Sequence, residues 1–409
     1  MTKICDLPRD LAEEVLSRLP VTSPRALRFT CKKWNTLSKC RSFTKKQIGR
    51  EQAEAKKKKQ EKAFQAIMTM NYKVYLMSVN LDGIHKDDDN VQSSIKQKGK
   101  LISLNGADQI DISKVYHCHG LLLCITNDIN SRLMVLNPYC GQARWIEPRD
   151  SYCRDSYALG YEMKNNVNRS YKILRCVNDF KDMSEMSIEP RTRICEFEIY
   201  NFDSHSWKSK TVKVTPNDWD IFYGCSGVSV KGNTYWFVQE RIPPLEEIPI
   251  DVIDELREAP SFLICFDFTT EKFGSRLPLP FPCLRNDTVT LSSVGEEKLA
   301  VLYHRWDSMY TKIWISNKID QPNALSWSEL FLNMGKMRPL EMRSATFFVD
   351  EEKKLAVVFD KGKSVYNPTC NTAYIVGEDG YSKQVDLGES VDKYLFPRVY
   401  SYVPSCEQI

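Results

Sequence analysis

The sequence predicts a small all-α N-terminal module of three helices followed by a large all-β domain, built as a β-propeller or, alternatively, as a twisted β-sandwich. Three observations lead there. Apolar residues recur at helical spacing between Ile4 and Ile48. From Tyr72 onward, short runs rich in Val, Ile, Tyr, Phe and Trp alternate with Gly, Asn, Asp and Pro turns. Within those runs a unit of strand, turn and aromatic residue keeps returning.

The first helix starts near Pro8, a residue tolerated in the first turn, and Asp10, Glu13 and Glu14 suit the positive end of its dipole. Leu11, Val15 and Leu19 recur every four residues with Leu16 beside them, so one face is apolar. Pro20 ends this helix. Ser23 is an N-cap and Pro24 a first-turn proline for a second helix that runs through Leu27 to about Cys31, after which Trp34 and Leu37 continue the apolar line. Three short helices bury little surface by themselves, and their remaining apolar face calls for a partner.

Residues 49–71 read as a basic linker, helical by composition, in which Lys56 to Lys59 form a candidate nuclear-import patch. Residues 1–62 hold 17 Lys and Arg against 7 Asp and Glu, whereas the rest holds 40 against 46, so the overall +4 conceals a basic front end. Such a front end suits an acidic protein surface; nucleic acid would suit it electrostatically too, and is the less favoured partner.

The all-β domain is read over residues 72–405. Asn137, Asn201, Asp267, Asn317 and Asn367 each end an apolar strand, at separations of 64, 66, 50 and 50 residues. Trp145, Trp207, Phe273, Trp327 and Tyr374 follow them by 6 to 10 residues. Hairpins turning at Lys231-Gly232-Asn233 and at Asp350-Glu351-Glu352 precede two of these units. Two hairpins per unit of about 50 residues make a four-stranded blade of the kelch size class. Five units are countable, and segments around Tyr72–Leu81 and Leu395–Tyr402 are predicted to close a sixth together.

At 409 residues and 42% hydrophobic content, the chain has the composition of a soluble globular protein. No apolar run reaches the roughly 18 residues of a membrane span, and the charged N-terminus lacks the apolar stretch of a secretory signal. The expectation is an intracellular protein, nuclear or cytoplasmic, with no membrane partner. Fourteen scattered cysteines in that setting read as reduced thiols.

The ordered set Leu7-Pro8, Leu11, Glu14-Val15-Leu16, Leu19-Pro20, Arg28, Cys31-Lys32 and Trp34-Asn35 resembles the F-box, by which substrate receptors attach to a Skp-type adaptor within a cullin-RING ubiquitin ligase. Pro24 departs from the pattern where an apolar residue is usual, and Cys40 where an aspartate is common. The resemblance implies adaptor contacts at Leu7, Pro8, Leu11, Val15, Leu16, Leu19, Pro20, Leu27 and Trp34. Downstream, RLMVLNPYCGQARWIEP, FEIYNFDSHSWK, GVSVKGNTYW and FLICFDFTTEKFGSRLPLPF resemble the plant F-box-associated domain of type 1. That resemblance implies a β-rich, substrate-recruiting region without catalytic residues or cofactor.

Catalytic chemistry has little to rest on. His117, Cys118, His119 and Cys124 form the one dense His/Cys cluster, but a single strand over Tyr116–Ile125 would put the imidazoles on one face and the thiols on the other. No Walker loop, GxGxxG, HExxH or GxSxG occurs. Tyr152, Cys153 and Tyr157 invite comparison with a radical-copper site but lack a matching histidine pair. No metal is expected. Trp219, Phe222, Tyr223, Trp306 and Tyr310 lie in loop-like contexts and are the candidate substrate contacts, beside the long insertion RIPPLEEIPIDVIDELREAP. The function this predicts is a non-catalytic receptor that docks on the adaptor and recruits a protein for ubiquitination. The alternative is a propeller that binds a small molecule or glycan while held by the adaptor without a degradative role.

Overall fold

The computed structural model describes residues 7–18, 32–38, 40, 42–47, 49–50, 64–81, 95–101, 110–129, 131–147, 155–165, 168–176, 195–212, 219, 226–240, 260–284, 287–307, 311–321, 324–330, 345–361, 370–377, 381–392 and 395–409. Helix α1 spans Arg9–Leu16 and α2 spans Lys32–Ser38; residues 42–47 and 49–50 are helical as well. Ala12 and Leu16 of α1 pack with Trp34 and Leu37 of α2 and with Phe43 into a small core of their own. The predicted second helix over Pro24–Cys31 lies outside the described residues.

Among the described residues, everything from residue 64 onward is strand and connection, and the strands form six sheets. Blade 1 combines β1 (Phe64–Met70), β2 (Lys73–Val79) and β3 (Ile95–Lys100) with the last strand of the chain, β25 (Arg398–Ser401). Blade 2 holds β4 (Ile112–Cys118), β5 (Leu121–Thr126), β6 (Leu133–Asn137) and β7 (Gln142–Ile146). Blade 3 holds β8 (Ser156–Lys164), β9 (Asn168–Cys176), β10 (Cys195–Asn201) and β11 (Ser206–Val212). In blade 4, β12 (Val228–Val230), β13 (Asn233–Gln239) and β14 (Ser261–Asp267) are joined by the short β15 (Lys272–Phe273) and β16 (Leu277–Pro278), both paired with β14. Blade 5 holds β17 (Thr288–Val294), β18 (Lys298–His304), β19 (Thr311–Ser316) and β20 (Trp327–Leu330). Blade 6 holds β21 (Thr346–Asp350), β22 (Leu355–Lys361), β23 (Cys370–Gly377) and β24 (Ser382–Glu389). The domain is a six-bladed β-propeller, and the sandwich alternative falls.

Strand alternation explains why so many of these strands are apolar on both faces. In β22, Leu355, Val357 and Phe359 pack against blade 1 while Ala356 and Val358 pack against blade 5. In β5, Leu121, Leu123 and Ile125 face blade 3 while Leu122 and Cys124 face blade 1. β13 does the same, with Tyr235 and Phe237 toward blade 5 and Trp236 and Val238 toward blade 3. Successive side chains of a strand point to opposite faces, so a blade wedged between two others is apolar at every position. Each neighbouring pair of blades shares one such core, and the six cores run round the ring.

The predicted repeat holds in four units. Asn137, Asn201 and Asp267 close the third strand of their blades, and Asn317 directly follows β19. Three are turn caps: Asn137 Oδ1 accepts from the Tyr139 N–H (3.0 Å), Asn201 from Asp203 (2.8 Å) and Asp267 from Thr269 (2.8 Å), while Asn317 instead accepts from Ser326 (2.9 Å), nine residues on. The aromatic that follows anchors the outermost strand. The Trp207 indole donates to the Glu147 carbonyl (3.0 Å) and that of Trp327 to Pro278 (3.1 Å), each time the preceding blade. The fifth unit is out of phase, because Tyr374 sits in β23, the third strand; Asn367 lies outside the described residues.

One domain assignment changes. The linker was predicted to be helical through residue 71, yet residues 64–70 form β1, paired along its whole length with β2 and from Ala66 to Thr69 with β25. FQAIMTM carries no alternation to mark it as a strand, because both its faces are buried: Ala66 and Met68 face blade 6, Ile67 faces blade 2. The Lys56–Lys59 patch lies outside the described residues.

Blade 1 therefore closes the ring by pairing the two ends of the domain. A chain ending before Leu395 loses β25, opens the inner edge of β1 and strips Val399 from the core shared with blade 6. Such a truncation is expected to elute as aggregate in size-exclusion chromatography and to lose the cooperative thermal transition of the full chain.

Candidate interaction surfaces

Helix α1 divides its apolar residues between two directions. Ala12 and Leu16 point into the helical core, whereas Leu11 and Val15 are 54% and 52% exposed, four residues apart on the outer side. Pro8 is exposed and Leu7 half-buried against the core. Of the remaining predicted adaptor contacts, Leu16 and Trp34 are buried inside the module, so they shape it and do not reach a partner directly. Burial follows from the 100° step of the helix, which turns Leu16 inward where Val15 faces out. Leu19, Pro20 and Leu27 lie outside the described residues.

Glu14 ties α1 to the last helical segment. Its carboxylate accepts from Arg50 (2.6 Å), Lys46 (3.0 Å) and Arg18 (3.1 Å), and these cations, Arg50 foremost, hold it down at about 2. The module then meets the propeller through Gln47, whose Oε1 accepts from the Tyr139 hydroxyl (3.1 Å) in the β6–β7 turn; both side chains are buried. The C-terminal residues run past the same place. Asn137 Nδ2 donates to the carbonyls of Ser405 (3.1 Å) and Glu407 (2.8 Å), and a Cβ on Gly120, at φ +76°, would lie 2.6 Å from Ser405.

The β6–β7 turn belongs to the propeller face that also carries the two-residue left-handed turns His119-Gly120 and Lys231-Gly232 and the three-residue turn Gly295-Glu296-Glu297. The described strand ends on the other side, among them Cys176, Gln239 and the start of β17 at Thr288, lie on the opposite face. Among the described residues, three exposed apolar side chains stand on that face: Ile129 after β5, Trp306 after β18 and Val391 after β24. Trp306 is 52% exposed on a fixed base, for its N–H donates to the buried Asp287 carboxylate (3.1 Å), which also accepts from the Tyr303 hydroxyl (2.8 Å). Exposed aromatics on rigid supports are the residues that dominate interface energetics.

Trp219 differs from the sequence reading. It packs on Phe273 with ring centroids 5.2 Å apart, within the core between blades 3 and 4, because a loop aromatic beside a blade junction gains more from burial than from exposure. Phe222, Tyr223, Tyr310 and most of the Pro-rich insertion lie outside the described residues. Nothing in the sequence singled out Ile129, Val391 or Asp287, since each is unremarkable until the fold places it.

Comparison with known proteins supplies the family. Residues 4–46 match the F-box domain and residues 65–409 match the F-box associated beta propeller domain. The chain belongs to the F-box proteins with an F-box-associated propeller. An F-box protein of Arabidopsis thaliana is 68% identical over 419 residues, covering 100% of both chains. An F-box/kelch-repeat protein of the same plant is 54% identical over 415 residues, again covering 100% of both. Among solved structures, an oligogalacturonate lyase in complex with manganese is 11% identical with a TM-score of 0.34, covering 76% of this chain and 70% of that one; likeness at that level has no bearing on activity.

Within the F-box, Cys40 takes the place of the usual aspartate and does a similar task. Its carbonyl accepts from the Thr44 N–H (3.0 Å), which makes it the N-cap of the last helical segment. Its thiol lies 3.1 Å from the Ser42 hydroxyl, which, together with the backbone N–H groups of Phe43 and Ser42, lowers its pKa. In the F-box-associated propeller, His117 and His119 share no continuous strand with Cys124: β4 ends at Cys118, His119 and Gly120 make a turn, and β5 runs back. The cluster is a hairpin with Cys118 facing blade 3 and Cys124 facing blade 1. No group of three or more potential metal ligands converges among the described residues.

His117 Nε2 accepts from the Gly120 N–H (3.1 Å), and burial, reinforced by His119, pushes the imidazole down to about 4. A histidine lowered from 6.5 leaves the unfolded state binding more protons between those values, so its contribution to stability declines as pH falls from 6.5 toward 4. His117→Phe is expected to remove that part of the acid-side slope in thermal unfolding measured from pH 7 to 4.5, relative to the parent. Cys40→Asp, a stronger N-cap, is expected to stabilise the F-box by about 0.5–1 kcal/mol, read as slower amide exchange over residues 42–47.

Proposed function

We propose that this F-box protein is the substrate-recruiting subunit of a Skp–cullin–F-box ubiquitin ligase. Its F-box docks on a Skp-type adaptor, and the face of the propeller turned away from the F-box holds a protein substrate for ubiquitin transfer by other subunits. The observation that carries this reading is the division of exposed apolar groups. Leu11 and Val15 lie on the outer side of α1, while Ile129, Trp306 and Val391 lie on the propeller face opposite the Gln47–Tyr139 contact. A receptor needs two such surfaces, kept apart by a rigid body, so that one partner is presented to chemistry tethered to the other. The chain itself contributes affinity and position and performs no catalysis. The reading places it in the nucleus or cytoplasm, where such assemblies work.

Leu11→Asp with Val15→Asp tests the docking half. Both residues are more than half exposed, so the F-box keeps its core, whereas two carboxylates pressed into an apolar groove cost several kcal/mol. Copurification with a Skp-type adaptor is expected to fall at least about a hundredfold, with the β-rich circular dichroism spectrum unchanged. Retained binding would refute the docking assignment. Trp306→Ala is expected to leave adaptor binding intact and to reduce the proteins crosslinked to the propeller in plant extract.

A further inference from the structure

The innermost strands of blades 1, 2, 4, 5 and 6 surround a cavity of about 70 Å³ on the propeller axis. That is several times the roughly 10–15 Å³ one water needs, room for a group of a few heavy atoms. Its wall is polar in one particular way. Hydroxyls of Ser226, Thr290, Thr346 and Tyr400 line it with the Arg398 guanidinium, and no carboxylate is among the described lining residues. Arg398 begins β25 and Ser226 shortly precedes β12, so both stand toward the face that carries Trp306, where Arg398 donates to Ser226 Oγ (2.6 Å). Deeper in, Thr290 is only 9% exposed, and its Oγ1 is buried without a hydrogen-bond partner among the described residues, whereas the Tyr400 hydroxyl is engaged by Ser226 and Arg398. Buried hydroxyls left so are costly unless something in the cavity bonds to them.

We infer that this channel is a binding site for an oxyanion end-group, a phosphate or carboxylate. A guanidinium only donates and the hydroxyls donate readily, so the complement is a compact group rich in acceptors. A cation would find no carboxylate here, and an apolar group would strand the hydroxyls. His117 also lines the cavity, with Nε2 engaged by Gly120; it adds a neutral ring and no competing charge. The oxyanion has two sources, a side chain of the recruited protein or a free ion. The first rests on the recruitment reading above; the second does not.

Calorimetric titration of the full chain with inorganic phosphate and, separately, with a short phosphoserine peptide tests the site. Saturable binding of either is expected, weakened about tenfold or more by Arg398→Gln and by Thr290→Val, with thermal unfolding of the variants matching the parent. Thr290→Val keeps the side-chain volume and decides the matter if Arg398→Gln does not fold. Tighter binding of the peptide assigns the site to a substrate side chain; binding of phosphate alone assigns it to a free ion and leaves adaptor docking to be judged by the Leu11 and Val15 variants. The inference is overturned if neither probe binds up to about 10 mM, or if Thr290→Val and any folded Arg398 variant bind both as tightly as the parent.

Discussion

The pairing of β25 with β1 is the contact on which the remaining structure depends. Ala66 faces Ser401 and Thr69 faces Arg398, joining residues more than three hundred positions apart into one ladder. Bringing such distant segments together costs chain entropy that grows only slowly with separation, whereas an unclosed ring would leave a bare strand edge and two half-formed cores. Val399 fills the core between blades 1 and 6, and Tyr402, just beyond β25, fills the one between blades 1 and 2. One short strand therefore supports both neighbours of blade 1.

The same closure determines where the F-box sits. Beyond β25 the chain crosses to blade 2, where Ser405 and Glu407 bond to Asn137 beside the Tyr139–Gln47 contact. The described residues of the F-box and the C-terminal segment are thus gathered on the face of the β6–β7 turn. Arg169, on β9, strengthens this gathering through its ion pair with Glu407 (3.0 Å), with the guanidinium over the Tyr161 ring. Contacts thus run from α1 through Glu14 and Arg50, and from Gln47 to Tyr139 of blade 2.

Burial also explains the polar residues held inside the blades. Arg175 donates to Asp155 (2.6 Å) and to Glu198 (2.8 Å), and Lys172 to Glu162 and Glu271 (2.9 Å each). Charges withdrawn from water persist only when paired in this way, so these groups are absorbed by the fold, in contrast to the channel hydroxyl of Thr290.

Sequence by itself determined what depends on local periodicity and turn chemistry. The helix carrying Leu11 and Val15, the Asx-capped turns at Asn137, Asn201 and Asp267, the four-stranded unit and the joining of the domain's ends in one blade were all legible, because each is written in residues close together or in a recurring spacing. Tertiary structure alone decided the rest. β1 was invisible because a strand buried on both faces has no alternation, and the burial of Leu16 and Trp34 in the helical core was beyond a spacing that shows only that a face is apolar. The turn at His119-Gly120 was read through because the residues around it are apolar on both sides. The channel was beyond reach for a different reason: Ser226, Thr290, Thr346 and Arg398 come from four blades, and only closure of the ring brings them to one axis.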